Sequence, residues 1–108
     1  MESVIIHSME KHVAHYDLAE IKEIVSSSGT SAFTRLARRE IDGMGLTFSE
    51  ARSVVLGLQR GMLHKSMTTQ MDHRVWQDVY HAPCPNGKTA YIKLTLQDGA
   101  VVIQFKEK

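Results

Sequence analysis

From Asp17 onward, apolar residues recur at helical spacing. Leu18, Ile21, Ile24 and Val25 fall on one face, Asp17 offers an N-cap oxygen, and Glu20 follows it by three residues as in a capping box. The pattern predicts a short amphipathic helix that ends before Ser26, Ser27, Ser28 and Gly29. A second helix is predicted from Ser31. It buries Phe33, Leu36, Ala37 and Ile41, turns Arg35, Arg38 and Arg39 towards solvent, and is interrupted at Gly43 and Gly45. Thr47 and Glu50 repeat the capping-box spacing, and Ala51, Val54, Val55 and Leu58 supply the stripe of a third helix stopped by Gly61.

After Lys65 the period changes to two. Arg74 to Tyr80 is rich in β-branched and aromatic residues and runs into a loop of Pro83, Cys84, Pro85, Asn86 and Gly87. Ala90 to Leu96 and Val101 to Phe105 alternate strictly around Asp98-Gly99, a dipeptide suited to a two-residue turn with positive φ at both positions. Such a turn fixes the register. Leu96 then faces Val101, Leu94 faces Ile103, and Ile92 faces Phe105, giving one apolar side. The other side pairs Thr95 with Val102, Lys93 with Gln104, and Tyr91 with Lys106, so a phenol and an ammonium become neighbours. An α+β domain follows: an antiparallel sheet with short helices packed on one face and the opposite face free to bind.

Composition narrows the function little. The chain has 108 residues, suited to one domain, with 43% hydrophobic and 23% charged residues, which argues against wholesale disorder and a membrane span. Thirteen Lys and Arg against twelve Asp and Glu leave a net charge of +1, so any nucleic-acid binding must come from local charge. The first 61 residues carry seven bases and eight acids, the remainder six and four. The later half is mildly basic. A lone cysteine and no leader-like apolar stretch fit a reducing cytosol.

Several motifs weaken on inspection. His12 with His15, and His81 with Cys84, offer two ligands each where structural zinc takes four, so no metal or cofactor is expected. Arg35, Arg38 and Arg39 are followed by Glu40 and Asp42 and read as a solvated helix face. Cys84 between prolines reads as an exposed thiol, Met62, Met67 and Met71 as core filler, and His64 and His81 as acid-base candidates weaker than His73 that read better as surface residues. Trp76 and Tyr80 share a strand face and either stack bases or enter the core; Gln77 on the opposite face favours the core.

Longer stretches resemble a known family. Lys65-Ser66-Met67-Thr68-Thr69, Asp72-His73, Trp76-Gln77-Asp78-Val79-Tyr80 and the terminal Phe105-Lys106-Glu107-Lys108 closely resemble the MqsR family of toxin-antitoxin mRNA interferases, and the likeness extends upstream through Gly57-Leu58, Phe48 and Gly45-Leu46 to Leu18. The resemblance implies a RelE-like fold and a ribosome-independent endoribonuclease cutting single-stranded mRNA around GC-containing triplets. It also implies neutralisation by a zinc-binding, DNA-binding antitoxin. The family's functional residues fall on Lys65, Gln77, Tyr91 and Lys106, with all four residue types retained. Two departures stand out: a longer loop between Tyr80 and Tyr91, and residues 1–8, which read as an extension before Met9-Glu10-Lys11. The whole chain, 1–108, is read as one toxin domain.

Metal-free RNA cleavage must deprotonate the 2′-OH, stabilise charge on phosphorus and protonate the departing 5′-oxygen. Lys65 and Lys106 suit the phosphorane charge. Tyr91, with a reference pKa of about 10, suits a proton donor or phosphate ligand better than a base. Gln77 can orient phosphate or read a base edge. His73, Lys93 and Gln104 are weaker substrate-binding candidates: His73 either shapes a turn or takes a catalytic or RNA-orienting role, and Lys93 and Gln104 either bind RNA or keep the face soluble. A contrasting reading is a non-catalytic RNA- or partner-binding domain that uses the same face, and a third is a regulator that acts only by titrating a partner.

Overall fold

The computed structural model describes residues 9–97 and 99–108. The expected extension over residues 1–8, and Asp98 of the hairpin turn, lie outside the described residues. The elements in chain order are β1 (Glu10–Lys11), α1 (Leu18–Ser28), α2 (Arg35–Gly43), α3 (Phe48–Leu56), β2 (Leu63–Thr68), β3 (Trp76–Pro83), β4 (Thr89–Leu94) and β5 (Val102–Glu107). All strand pairs are antiparallel, in the order β1-β2-β3-β4-β5. The α+β architecture expected from the sequence is the one observed. Among the described residues no helix is long and apolar enough to cross a membrane.

Capping sets where the helices start. Asp17 accepts from the Ala19 N–H, and Thr47 and Glu50 form a complete capping box at α3. Serine is only a weak helix breaker, so α1 continues through Ser26–Ser28 instead of ending before them. Gly29, at φ +58°, then turns the chain into a short 3₁₀ segment, Gly29–Ala32. That segment absorbs Ser31, and α2 begins four residues later than expected, capped by Thr34. The shift rotates the helix face: Phe33, Ala37 and Ile41 are buried, but Leu36 is 46% exposed. The third helix ends at Leu56 with Gly57, short of Gly61.

The core lies between the helices and one side of the sheet. Ile21, Val25, Phe33, Ala37, Ile41, Ala51, Val55 and Leu58 meet Tyr80, Ala82, Ile92, Leu94 and Phe105 there. Cys84 joins this cluster at 8% exposure, which overturns the expectation of an exposed thiol. Burial also raises the pKa of its thiol. Met71, expected in the core, is 98% exposed. Tyr80 is buried as expected. Trp76 is half-buried at the edge, with His15 stacked on its ring at 5.1 Å and the Lys11 ammonium 4.2 Å from its centroid.

The terminal hairpin follows the computed register only in part. Tyr91–Lys106, Ile92–Phe105 and Lys93–Gln104 pair as expected, but a bulge follows and Leu94 pairs with Val102 instead of Ile103. The extra residue, Ile103, turns Val102 to the covered side. Val102 and Thr95, expected towards solvent, are buried, while Ile103 is only half-buried. Helical packing explains the bulge. Phe33 forms a parallel bridge to Val102, Thr34 bonds to the Val102 and Ile103 carbonyls, and Glu40 accepts the Phe105 N–H. These contacts occupy the outer edge of β5 and draw Val102 inward. Gly99 keeps the positive φ, +104°, that the turn requires.

Candidate active site

Three rungs of side chains cross the uncovered face. The first runs from His81 on β3 through Tyr91 on β4 to Lys106 on β5. The second runs Lys65, Val79, Lys93, Gln104, and the third joins Glu10, Met67 and Gln77. Neighbours within a rung are about 4.8 Å apart at the backbone, and successive rungs about 7 Å. Strand alternation alone keeps these residues together, because two-residue steps return each side chain to the same side.

Tyr91 sits at the centre of the first rung. The Lys106 ammonium lies 5.1 Å from its ring centroid and that of Lys93 6.0 Å. Burial holds the Tyr91 phenol above its usual pKa, although nearby Lys65 pulls the other way. The group therefore stays protonated near neutrality. Lys93 is pushed below the usual lysine range, first by burial and then by Lys106, with Glu40 opposing. A partly buried cation beside another cation favours an incoming anion.

Lys65 is three strands away from Lys106 and is engaged already. Its ammonium donates to Glu10 Oε1 at 2.7 Å, and that contact lowers the Glu10 pKa. Gln77 lies four residues before His81 on β3, roughly 13 Å along the strand. It lines a shallow groove of about 360 Å³ with Met67, Thr68, Thr69, Gln70 and Lys93. Gln104 turns its amide towards Glu40 at 3.5 Å. Lys65, Gln77, Tyr91, Lys93, Gln104 and Lys106 thus share a face, with the Lys93 and Lys106 ammonium groups both beside the Tyr91 ring.

His73 does not join them. It is exposed in the β2–β3 turn, which Thr69, Asp72 and Val75 close by hydrogen bonds, beyond the Trp76 end of β3. Two histidines that read better as surface residues form a stack that reaches Tyr91 through His81. His81 is the cross-strand neighbour of Tyr91, with ring centroids 5.9 Å apart, and His64 stacks on His81 at 4.4 Å and 20°. A bulge between Leu63 and Lys65 brings His64 to this face. For His81, alternation from Gln77 was a usable signal; for His64 no sequence pattern announces the bulge.

The same motif carries a structural carboxylate. Asp78, 1% exposed on the covered side, accepts from the backbone N–H groups of His15 and Tyr16 and from the Ser66 hydroxyl. It ties the chain before α1 to the underside of β3. Tyr16 and Thr95 complete the attachment through the Trp76 carbonyl.

A helix-backed sheet whose bare side gathers a protonated phenol, several cations and an amide has the chemistry to hold a phosphodiester. Residues 13–107 match the family described as motility quorum-sensing regulator, toxin of MqsA. The chain belongs to this MqsR toxin family. It is 38% identical over 100 residues to the mRNA interferase toxin MqsR of Escherichia coli (strain K12), an alignment covering 93% of this chain and 100% of that relative.

Proposed function

We propose that this protein cuts single-stranded mRNA at GC-containing triplets, independently of the ribosome and of metal, by attack of the 2′-oxygen on the adjacent phosphorus. As an MqsR-family toxin it is an endoribonuclease of the mRNA interferase class. A cognate antitoxin that binds zinc and DNA neutralises it, and the toxin works in the cytoplasm as one domain spanning the chain. The products are a 2′,3′-cyclic phosphate and a 5′-hydroxyl.

One observation carries the reading: the cross-strand pair of Tyr91 and Lys106 on the uncovered face, with Lys93 against the same ring. Lys106 and Lys65 stabilise charge on the phosphorane, Tyr91 donates a proton to the departing oxygen, and Gln77 orients the strand one groove away. Lys93 and Gln104 bind substrate between them, while His73 contacts flanking nucleotides at most. The raised Tyr91 pKa supports donor over base.

Cleavage of single-stranded RNA by purified protein in excess EDTA tests this reading. Lys106→Ala and Tyr91→Phe each lower the rate by about 10²- to 10³-fold, the usual cost of one well-placed stabilising donor, while RNA binding and fold persist. End mapping finds cyclic phosphates. Binding without cleavage by the wild-type protein refutes the reading in favour of a non-catalytic RNA-binding domain, and 3′-hydroxyl ends refute the 2′-oxygen mechanism.

A further inference from the structure

The groups assigned so far leave the 2′-OH proton without an acceptor. Lys65 and Lys106 serve the phosphorane charge as cations, the Tyr91 phenol is kept protonated, and an amide exchanges none usefully. His73 is distant: from Trp76 to His81 alone the strand runs about 16 Å. We propose that His81 is the general base of the cleavage, taking the 2′-OH proton on the same rung where Tyr91 and Lys106 hold the phosphodiester. The inference rests on the endoribonuclease reading and adds the missing proton acceptor to it.

Position, accessibility and surroundings all fit. His81 is directly opposite Tyr91 in the sheet, and it is partly exposed, so a ribose can reach the ring. His64 lies flat against its other side and fixes the ring plane. The groups facing it are His64 and Lys65 from β2, Tyr91 and Lys93 from β4, and Lys106 and Lys108 from β5 and the residue after it. Burial first, and then His64 and Lys108, lower its pKa from the usual 6.5. A neutral imidazole with a free lone pair therefore prevails at neutral pH, which a base requires.

The step balances within the residues present. A ring nitrogen of His81 accepts the proton as the O2′–P bond forms. The P–O5′ bond breaks, its electron pair leaves with O5′, and the Tyr91 phenol supplies the proton that O5′ needs. Imidazolium and phenolate then return to their resting forms by proton exchange with water.

Single-turnover cleavage of a synthetic single-stranded RNA in EDTA, followed between about pH 5 and 8, tests the assignment, with affinity measured by fluorescence anisotropy. The wild-type rate should rise with pH and level off, its inflection below the usual histidine value. His81→Gln and His81→Asn should cleave about 10²-fold or more slowly and lose that inflection, keep wild-type RNA affinity, and recover rate on addition of imidazole. A wild-type profile flat from about pH 5 to 7 overturns the proposal even if neither variant folds. So does a variant that retains the wild-type rate, or one whose whole loss lies in affinity. If the wild-type protein releases cyclic phosphates and His81→Gln keeps pace, His81 alone is dismissed. If the wild type leaves RNA intact, the endoribonuclease reading falls and this inference with it.

Discussion

Replacing Asp78 by alanine should loosen the chain before α1 from the sheet and lower the stability of the whole protein. Three donors meet this carboxylate: the N–H groups of His15 and Tyr16, at 2.9 to 3.1 Å, and the Ser66 hydroxyl. Hydrogen bonds to a charged group contribute about 1.5–3 kcal/mol each. They do not all vanish at full cost. His15 is exposed and Tyr16 half-buried, so water can reach those two amides once the tether is gone, whereas Ser66 is wholly buried and has only the long contact to the Gln77 carbonyl, 3.5 Å, to fall back on. One lost bond in full and two in part give about 3 kcal/mol, a large share of the 5–15 kcal/mol typical of a small domain. The melting temperature should fall by roughly 12–24 °C, at about 4–8 °C per kcal/mol. Asp78→Asn keeps one acceptor oxygen and should cost about 1–2 kcal/mol. Urea titration followed by the fluorescence of Trp76 reads both values, and hydrogen exchange at His15 and Tyr16 reads the local release. An Asp78→Ala protein within 0.5 kcal/mol of wild type, or one whose His15 and Tyr16 amides exchange as slowly as before, would refute the tether.

Glu10→Gln removes the negative charge that now holds Lys65 and leaves only a neutral amide oxygen, so RNA affinity at low salt should rise by about two- to five-fold, with the gain vanishing at high salt. Filter binding at two ionic strengths checks this, and an unchanged or weaker affinity counts against Lys65 as a phosphate contact. Protonating Glu10 should mimic the substitution: because Lys65 lowers the Glu10 pKa, the pair persists above that depressed value and is lost as pH falls through it. Cys84 should react with a thiol reagent at least about 10²-fold more slowly in the native protein than in urea, since burial both hides the sulfur and raises its pKa. Equal rates in the two states would place the thiol at the surface.

Local signals were legible in the sequence where one residue decides an outcome. Thr47 with Glu50 marked the third helix because both halves of the capping box lie within one turn, and Tyr91 was matched to Lys106 because alternation propagates a register over several residues. The register failed where a distant segment intervened. The bulge after Lys93 answers to Phe33, Thr34 and Glu40, some seventy positions earlier for the first two, and no pattern within the hairpin encodes their arrival. Leu36 was misjudged for a related reason: its burial depended on where α2 begins, and a 3₁₀ segment moved that point. Of the candidate site, the shared face of Tyr91, Lys93, Gln104 and Lys106 follows from alternation, whereas Lys65, Gln77 and His73 were drawn from family likeness. His73 left the group because a turn, not a strand, carries it. His64 and His81 were ranked below His73 because their meeting is a product of strand pairing, 17 positions apart in the chain.

Glu40 and the Phe33–Thr34 segment also have a colloidal consequence. A peptide ladder grows when a bare rim offers donors and acceptors to the next molecule, but the rim of β5 is already spent on Ala32, Thr34 and Glu40 of its own chain. Copies that collide along that border find the rungs from Val101 to Phe105 taken, so in a crowded solution of this toxin that stretch offers little to fibrous stacking, without spending a proline or a row of lysines on the task.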